Sequence, residues 1–214
     1  VSEGLIAQYD ELPIVYEDEA VLIIDKPTYM STIPSREHPI GSVANLLYGY
    51  FERQQIASTA HIVTRLDRDT SGLMIVAKHR HIHHLMSEQQ KKGNVHREYE
   101  ALVHGRVACD QSIIAPIGRK DTSIIEREVR DDGQFAHTDV KVITKTAGMS
   151  HIRLKLHTGR THQIRVHMAH VGHPLVGDSL YGGSKQLLDR QALHCVYVNF
   201  KHPLTGENLE FTSN

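Results

Sequence analysis

"HIRLKLHTGRTHQIRVHMAHVG", His151 to Gly172, changes its period halfway along. Up to Leu156 the apolar residues alternate. Ile152, Leu154 and Leu156 face one way, and His151, Arg153, Lys155 and His157 face the other. A period of two predicts a half-buried strand with a strongly basic exposed face. Beyond Thr158-Gly159-Arg160 the apolar spacing becomes Ile164, Met168 and Val171. That spacing predicts a short helix with those three residues toward the core and Thr161 as its cap.

The neighbouring stretches read in the same way. "GLMIVAK" (Gly72 to Lys78) predicts a short buried strand, and "HRHIHHLMSEQQKKG" after it predicts a helix. Ile82, Leu85, Met86 and Gln89 mark one face of that helix; Lys91 and Lys92 suit its negative end, and Gly93 suits the residue just past it. "IVYEDEAVLIIDKP" reads as strand, turn, strand, with Ile14 to Tyr16 and Val21 to Ile24 as the strands. Gly41 to Phe51 predicts a helix capped by Ser42, with Val43, Leu46, Leu47 and Tyr50 on one face. "REYEALVHGRV" and "HTDVKVIT" are strands, with a hairpin region from Gln111 to the Asp131-Asp132-Gly133 turn between them. Leu193 to Phe200 and Asn208 to Thr212 form a last pair around Thr205-Gly206. Many strands adjacent in order, with few helices, predict an α+β fold on a mainly antiparallel or mixed sheet.

The chain has 214 residues and a net charge of −1. That length suits one domain or two small ones with a core needing no staples. No apolar run approaches the ~20 residues that span a bilayer, and the opening "VSEGLIAQYDELP" is too polar for a signal peptide. Cys109 and Cys195 lie far apart without a CxxC, which fits a reducing cytoplasm and neither a zinc ribbon nor a disulfide framework. The balanced charge argues against a tail-driven nucleic-acid binder but leaves room for one local basic face.

Two stretches carry chemistry. In "TRLDRDTSG", Asp67 stands between Arg65 and Arg68, with Asp69 two residues on and a turn signal after it. Guanidinium neighbours favour the ionised carboxylate, which suits a nucleophile better than a proton donor. The other reading is a solvated charge cluster, which an arbitrary Arg-x-Asp-Arg favours. In the second stretch, Arg160, His162 and Arg165 around a helix start would suit a phosphate backbone. A helix whose polar side happens to be basic fits the spacing equally well. Tyr99, in a strand beside Arg97, reads as packing on periodicity alone. Among 17 histidines, His79 and His83 lie four apart on a helix, but without HExxH or a partnering acid no metal site is expected.

Taken together these stretches resemble the RluA-type pseudouridine synthases. "RLDRDTSGLMIVAK" resembles their catalytic-loop motif, "REYEALVHG" their tyrosine motif and "LHTGRTHQIRVHMAHVGHPLVGDSLYG" their arginine motif. The opening "IVYEDEAVLIIDKP" and the closing "HPLTGENLEF" match in kind and order. The resemblance implies a mixed, mostly antiparallel central sheet flanked by helices and loops, with the catalytic cleft across it. It implies one catalytic domain over residues 1–214, without the N-terminal S4 domain of many relatives. It also implies isomerisation of uridine to pseudouridine, with no cofactor, no metal and no protein partner. Asp67 would be the essential aspartate, Tyr99 would stack on the target base, and Arg165 would pair with Asp67. Arg65 would fill the space left by the extruded base, and Arg68, Arg97, Arg160 and His162 would join it in contacting RNA. The RNA is expected to be ribosomal first and transfer RNA second, in the cytoplasm. Thr64 stands where the family usually has His, Arg97 where it has Lys, and Gly133-Gln134 with Ala136 where it has Gly-Lys. The alternatives from other classes are a hydrolase using Asp67 and Asp69 as paired acids, and a non-catalytic RNA-binding module.

Overall fold

Residues Val21–Ile24 and Leu73–Ala77 are each at most 1% exposed, so these two apolar runs are buried on both faces. They form β2 (Val21–Lys26) and β4 (Ser71–Ala77), paired antiparallel from Val21↔Ala77 to Lys26↔Gly72. The computed structural model describes residues 4–214; residues 1–3 of the polar opening lie outside it. The chain divides into two compact units, one of residues 4–95 and 197–214, the other of His96–Val196.

In the first unit β1 (Ile14–Glu17) pairs with β2, and β3 (His61–Ile62) pairs with β4, both antiparallel. α1 (Val43–Arg53) begins at Ser42 as expected. The Asn45 N–H donates to Ser42 Oγ at 3.3 Å, and the Ser42 N–H donates to Asn45 Oδ1 at 3.0 Å. This reciprocal pair satisfies two backbone donors at the helix start. α2 (Arg80–Lys91) packs on β4 through Ile82 and Met86, and Gly93 beyond its end adopts φ +73°. The chain returns late to this unit. Tyr197–Lys201, the second half of β11 (Leu193–Lys201), pairs antiparallel with β12 (Asn208–Thr212). Ser213 Oγ donates to Asp25 Oδ2 at 2.7 Å, and His202 Nε2 lies 2.8 Å from Asp18 Oδ2.

The second unit carries four antiparallel strands of which the first along the chain lies beside the last. β5 (His96–His104), β10 (Met149–Leu156), β9 (His137–Lys145) and β6 (Gln111–Ile114) lie side by side in that order, all antiparallel. A separate hairpin joins β7 (Ile117–Arg119) to β8 (Arg127–Val129). α3 (Gln163–His170) packs on β8, β9 and a 3₁₀ turn at Ser179–Tyr181. The expected α+β architecture, with mostly antiparallel strands, is present.

Two local expectations change. β10 alternates as expected, with Ser150, Ile152, Leu154 and Leu156 buried. Its other face, however, is not a free basic stripe. Arg153 Nε lies 3.0 Å from Glu98 Oε1, His151 Nε2 3.6 Å from Glu100 Oε1, and His157 Nε2 2.6 Å from Asp139 Oδ2. The flanking strands place acids beside each base, which the period of one strand does not reveal. Thr161 does not cap α3. The cap position is His162, in the left-handed region at φ +58° and without a side-chain cap bond, while Thr161 is exposed. Gln163 organises the turn: its Oε1 accepts from the Arg160 N–H at 3.0 Å and from the Thr158 hydroxyl at 2.7 Å.

Candidate active site

Asp67 lies on the loop between β3 and β4, in the first unit. The loop's buried floor fixes the backbone on both sides of it. Thr32, 4% exposed, donates from Oγ1 to the Leu66 carbonyl at 2.6 Å. Lys26, 1% exposed, sends its ammonium to the carbonyls of Arg68 (3.0 Å), Met30 (2.8 Å) and Pro27 (2.9 Å). Buried charge is tolerated where hydrogen bonds replace hydration, and three carbonyls fill the donor capacity of an ammonium. The Thr70 N–H donates to the Asp67 carbonyl at 3.0 Å, closing the expected turn. Thr64, at the family's histidine position, is buried and accepts the Ile75 N–H through Oγ1 at 2.9 Å. Asp67 therefore sits on a peptide segment held at positions 66 and 68 by side chains from elsewhere in the unit.

The two flanking arginines have different settings. Arg68 Nη1 ion-pairs with Asp69 Oδ1 at 3.0 Å, and the guanidinium sits 5.8 Å from the centre of the Tyr29 ring. Arg65 is exposed and lines a cavity of about 560 Å³ with Tyr48, His61, Ile62 and His83. Burial, reinforced by His83 and Arg80, pushes the His61 imidazole below its ordinary pKa and so favours the neutral ring. The His79/His83 pair is split: His79 is exposed, while His83 turns toward the cavity and His61.

The remaining candidates lie in the second unit. Tyr99, in β5 opposite Leu154, is 4% exposed. Arg165 is 7% exposed and gripped at both ends of its fork by Asp178: Nε donates to Oδ2 at 2.8 Å and Nη2 to Oδ1 at 3.0 Å. Tyr181 presents its ring 5.0 Å from the same guanidinium. The Tyr181 hydroxyl accepts the Arg127 N–H at 3.0 Å and lies 2.6 Å from His162 Nδ1; its own pKa is raised, by burial first. Gly177, at φ +83°, permits the turn before Asp178, because a Cβ there would fall 1.8 Å from the Arg190 carbonyl. The Arg97 guanidinium covers Gly159, and Arg160 Nε donates to the Phe135 carbonyl at 2.8 Å. Arg97, Arg160 and His162 thus meet at the Thr158–His162 turn, and Tyr181 stands between His162 and Arg165.

α3 itself is not a basic helix facing water. Gln163, Arg165 and His167 are all buried. A relay runs inward, from Gln163 Nε2 to Thr138 Oγ1 (2.9 Å), from that hydroxyl to His167 Nδ1 (2.8 Å), and from His167 Nε2 to the Ala115 carbonyl (2.9 Å). Burial lowers the His167 pKa, consistent with a neutral ring whose proton sits on Nε2.

Lys26, Thr32, Asp178 and Tyr181 were not anticipated from sequence. Lys26 and Asp178 had a signal, since each is a charged residue inside an apolar or glycine-rich stretch, "VLIIDKP" and "PLVGDSLYG". Asp178→Ala would leave Arg165 buried with its main counter-charge removed. The expected loss is ~3–5 kcal/mol of folding stability, read by denaturant unfolding.

A match to the family model for RNA pseudouridylate synthases covers residues 20–170. The chain is 54% identical over 212 residues to the uncharacterized RNA pseudouridine synthase YjbO of Bacillus subtilis, a match covering 99% of this chain and 75% of that protein. It is 41% identical over 222 residues to ribosomal large subunit pseudouridine synthase D of Pseudomonas aeruginosa, covering 97% of this chain and 69% of that protein. The solved structure of human RNA pseudouridylate synthase domain containing 1 superposes with a TM-score of 0.78 at 26% identity, covering 97% of this chain and 85% of the human one. Fold and comparisons together define an RNA-modifying isomerase. The chain belongs to the RNA pseudouridylate synthase family, of the RluA type expected from its motifs.

Proposed function

We propose that the protein isomerises a uridine in structured RNA, in the cytoplasm, and that residues of both units serve one catalytic domain. Large-subunit ribosomal RNA is the favoured substrate, supported by the ribosomal large subunit enzyme among its relatives, with transfer RNA as the second choice. The observation that carries the reading is the mounting of Asp67. It lies in the segment matching the family's catalytic-loop motif, and buried Thr32 and Lys26 fix the peptides on either side of it. A nucleophile must meet a carbon at a defined distance and angle, and such anchoring supplies that without a cofactor.

In this mechanism the target uridine leaves the helix stack, at a cost of a few kcal/mol. Arg65, exposed at the rim of its cavity, fills the gap. The Asp67 carboxylate attacks the nucleoside at C1′ or C6, the C1′–N1 bond breaks, and the base turns. C5 then bonds to C1′, displacing the Asp67 oxygen if that oxygen was on C1′; if it was on C6, the Asp67–C6 bond breaks afterwards. The carboxylate is regenerated, the C5 proton departs, and N1 takes a proton, so that product and substrate are isomers. Tyr99 stacks on the base. Arg165, held in place by Asp178, serves as the cationic partner of Asp67. Arg68, Arg97, Arg160 and His162 contact the RNA backbone and flanking nucleotides.

The direct test is pseudouridine mapping in total RNA from cells with and without the protein. Loss of one or a few defined pseudouridines is expected; an unchanged map would exclude the assignment. Tyr99→Phe keeps the ring and removes the hydroxyl. If stacking is its main role, tritium release from C5-labelled uridine RNA should fall far less than in Asp67→Asn. Equal loss in both variants would assign the hydroxyl to the proton transfer instead.

A further inference from the structure

We propose that His137, Asp139 and His157 form a binding site for a first-row divalent cation of the Zn²⁺ class, which clamps the start of β9 to the residue following β10. The argument begins with strand geometry. His137 and Asp139 are two apart on β9 and therefore share a face. His157 follows Leu156, whose partner in β9 is Thr138, and its N–H donates to the His137 carbonyl at 3.1 Å. It therefore lies directly across from His137. An i, i+2 pair on one strand and a cross-strand neighbour form a tripod on a rigid surface.

The donor atoms converge. Nε2 of His137 lies 2.9 Å from Asp139 Oδ1, and Nε2 of His157 lies 2.6 Å from Asp139 Oδ2. One ligand atom from each residue falls within 4.8 Å of the other two. The imidazoles stack with centroids 4.1 Å apart and planes 20° from parallel, so both edges aim the same way. Bonds of about 2.0–2.1 Å in a tetrahedron put ligands about 3.3 Å apart, so the three groups open only slightly to admit an ion. Ser112 donates from Oγ to Asp139 Oδ1 at 2.6 Å, the outer-shell support that orients a ligating carboxylate.

Two imidazoles with one carboxylate select Zn²⁺, Co²⁺ or Ni²⁺ over Mg²⁺ or Ca²⁺. On binding, each Nε2 lone pair goes to the metal, and the proton it now shares with Asp139 moves to Nδ1 or to solvent. His157 is exposed, which gives the ion an entry path and leaves the fourth position to water. Lys155, the register partner of Asp139, places an ammonium on the same face and lowers the affinity. The clamp would stiffen the strand ends that carry Thr158–Arg160, where Arg97 and Arg160 meet.

The test is Co²⁺ titration of the chelator-treated full chain, read by the ligand-field absorption of four-coordinate Co²⁺, with Zn²⁺ competing it away. The wild type should show one such site per chain. Asp139→Asn and His157→Gln should each weaken it at least about tenfold, whereas His79→Gln/His83→Gln should leave it intact. Added Zn²⁺ should raise the melting temperature of the wild type and of the His79/His83 variant, but not of Asp139→Asn. No four-coordinate spectrum in the wild type, or an equal one in Asp139→Asn and His157→Gln, would overturn the site. Either result would make the cluster a plain hydrogen-bonded trio.

Discussion

Asp67→Asn is expected to fold, to bind RNA within a few-fold of the wild type, and to form no pseudouridine. The substitution keeps size and shape, and the fixed groups around position 67 are backbone: the Leu66 and Arg68 carbonyls held by Thr32 and Lys26, and the Asp67 carbonyl that accepts from Thr70. None of these depends on the carboxylate. What the amide lacks is the anionic oxygen that forms the covalent bond, and no rate remains for a step with no nucleophile. Single-turnover product formation and a gel-shift measurement separate the two properties. Product from a preparation free of back-converted aspartate would falsify the nucleophile assignment.

Lys26→Met is expected to damage both stability and activity. The side chain is isosteric, but the carbonyls of Pro27, Met30 and Arg68 each lose a charged donor in a dry setting. A buried acceptor left without a partner costs roughly 1–3 kcal/mol, so a loss of about 3 kcal/mol or more is expected in denaturant unfolding. The chemistry should suffer separately. If the Arg68 peptide relaxes by about 1 Å, activity should fall on the order of 100-fold at a temperature where the variant is still folded. Thr32→Val releases only the Leu66 carbonyl and should give the same pattern in milder form. Full activity in folded Lys26→Met would show that the loop holds its shape without the ammonium.

The elements with a clean period were legible in the sequence: the buried runs of β2 and β4, the alternation of β10, and the Ser42 start of α1. The family motifs single out Asp67, Tyr99 and Arg165 as candidates, but do not reveal what surrounds them. Asp178 grips Arg165 from thirteen positions away, and Lys26 reaches Arg68 from forty-two. Such pairings are made by chain topology, and no local spacing encodes them. The basic face of β10 misled for the same reason, because Glu98, Glu100 and Asp139 belong to its neighbours. His162 is the opposite case. A histidine in the left-handed region breaks the local rule that puts Ser, Thr, Asp or Asn at a helix cap. The Tyr181 edge and the Gln163 bonds to Thr158 and Arg160 surround that turn.

The first unit is interrupted in the chain, with residues 197–214 returning to it after the whole of His96–Val196. During synthesis the ribosome finishes the second unit before the first has all its parts, although most of the first is made earlier. At about 5–20 residues per second, β1 to β4 wait several seconds with Asp25 and Asp18 unmet by Ser213 and His202. The nascent chain carries the Asp67 loop long before that loop's unit can close. Sealing of this unit is therefore a late event that waits for β12 however early β1 to β4 are made.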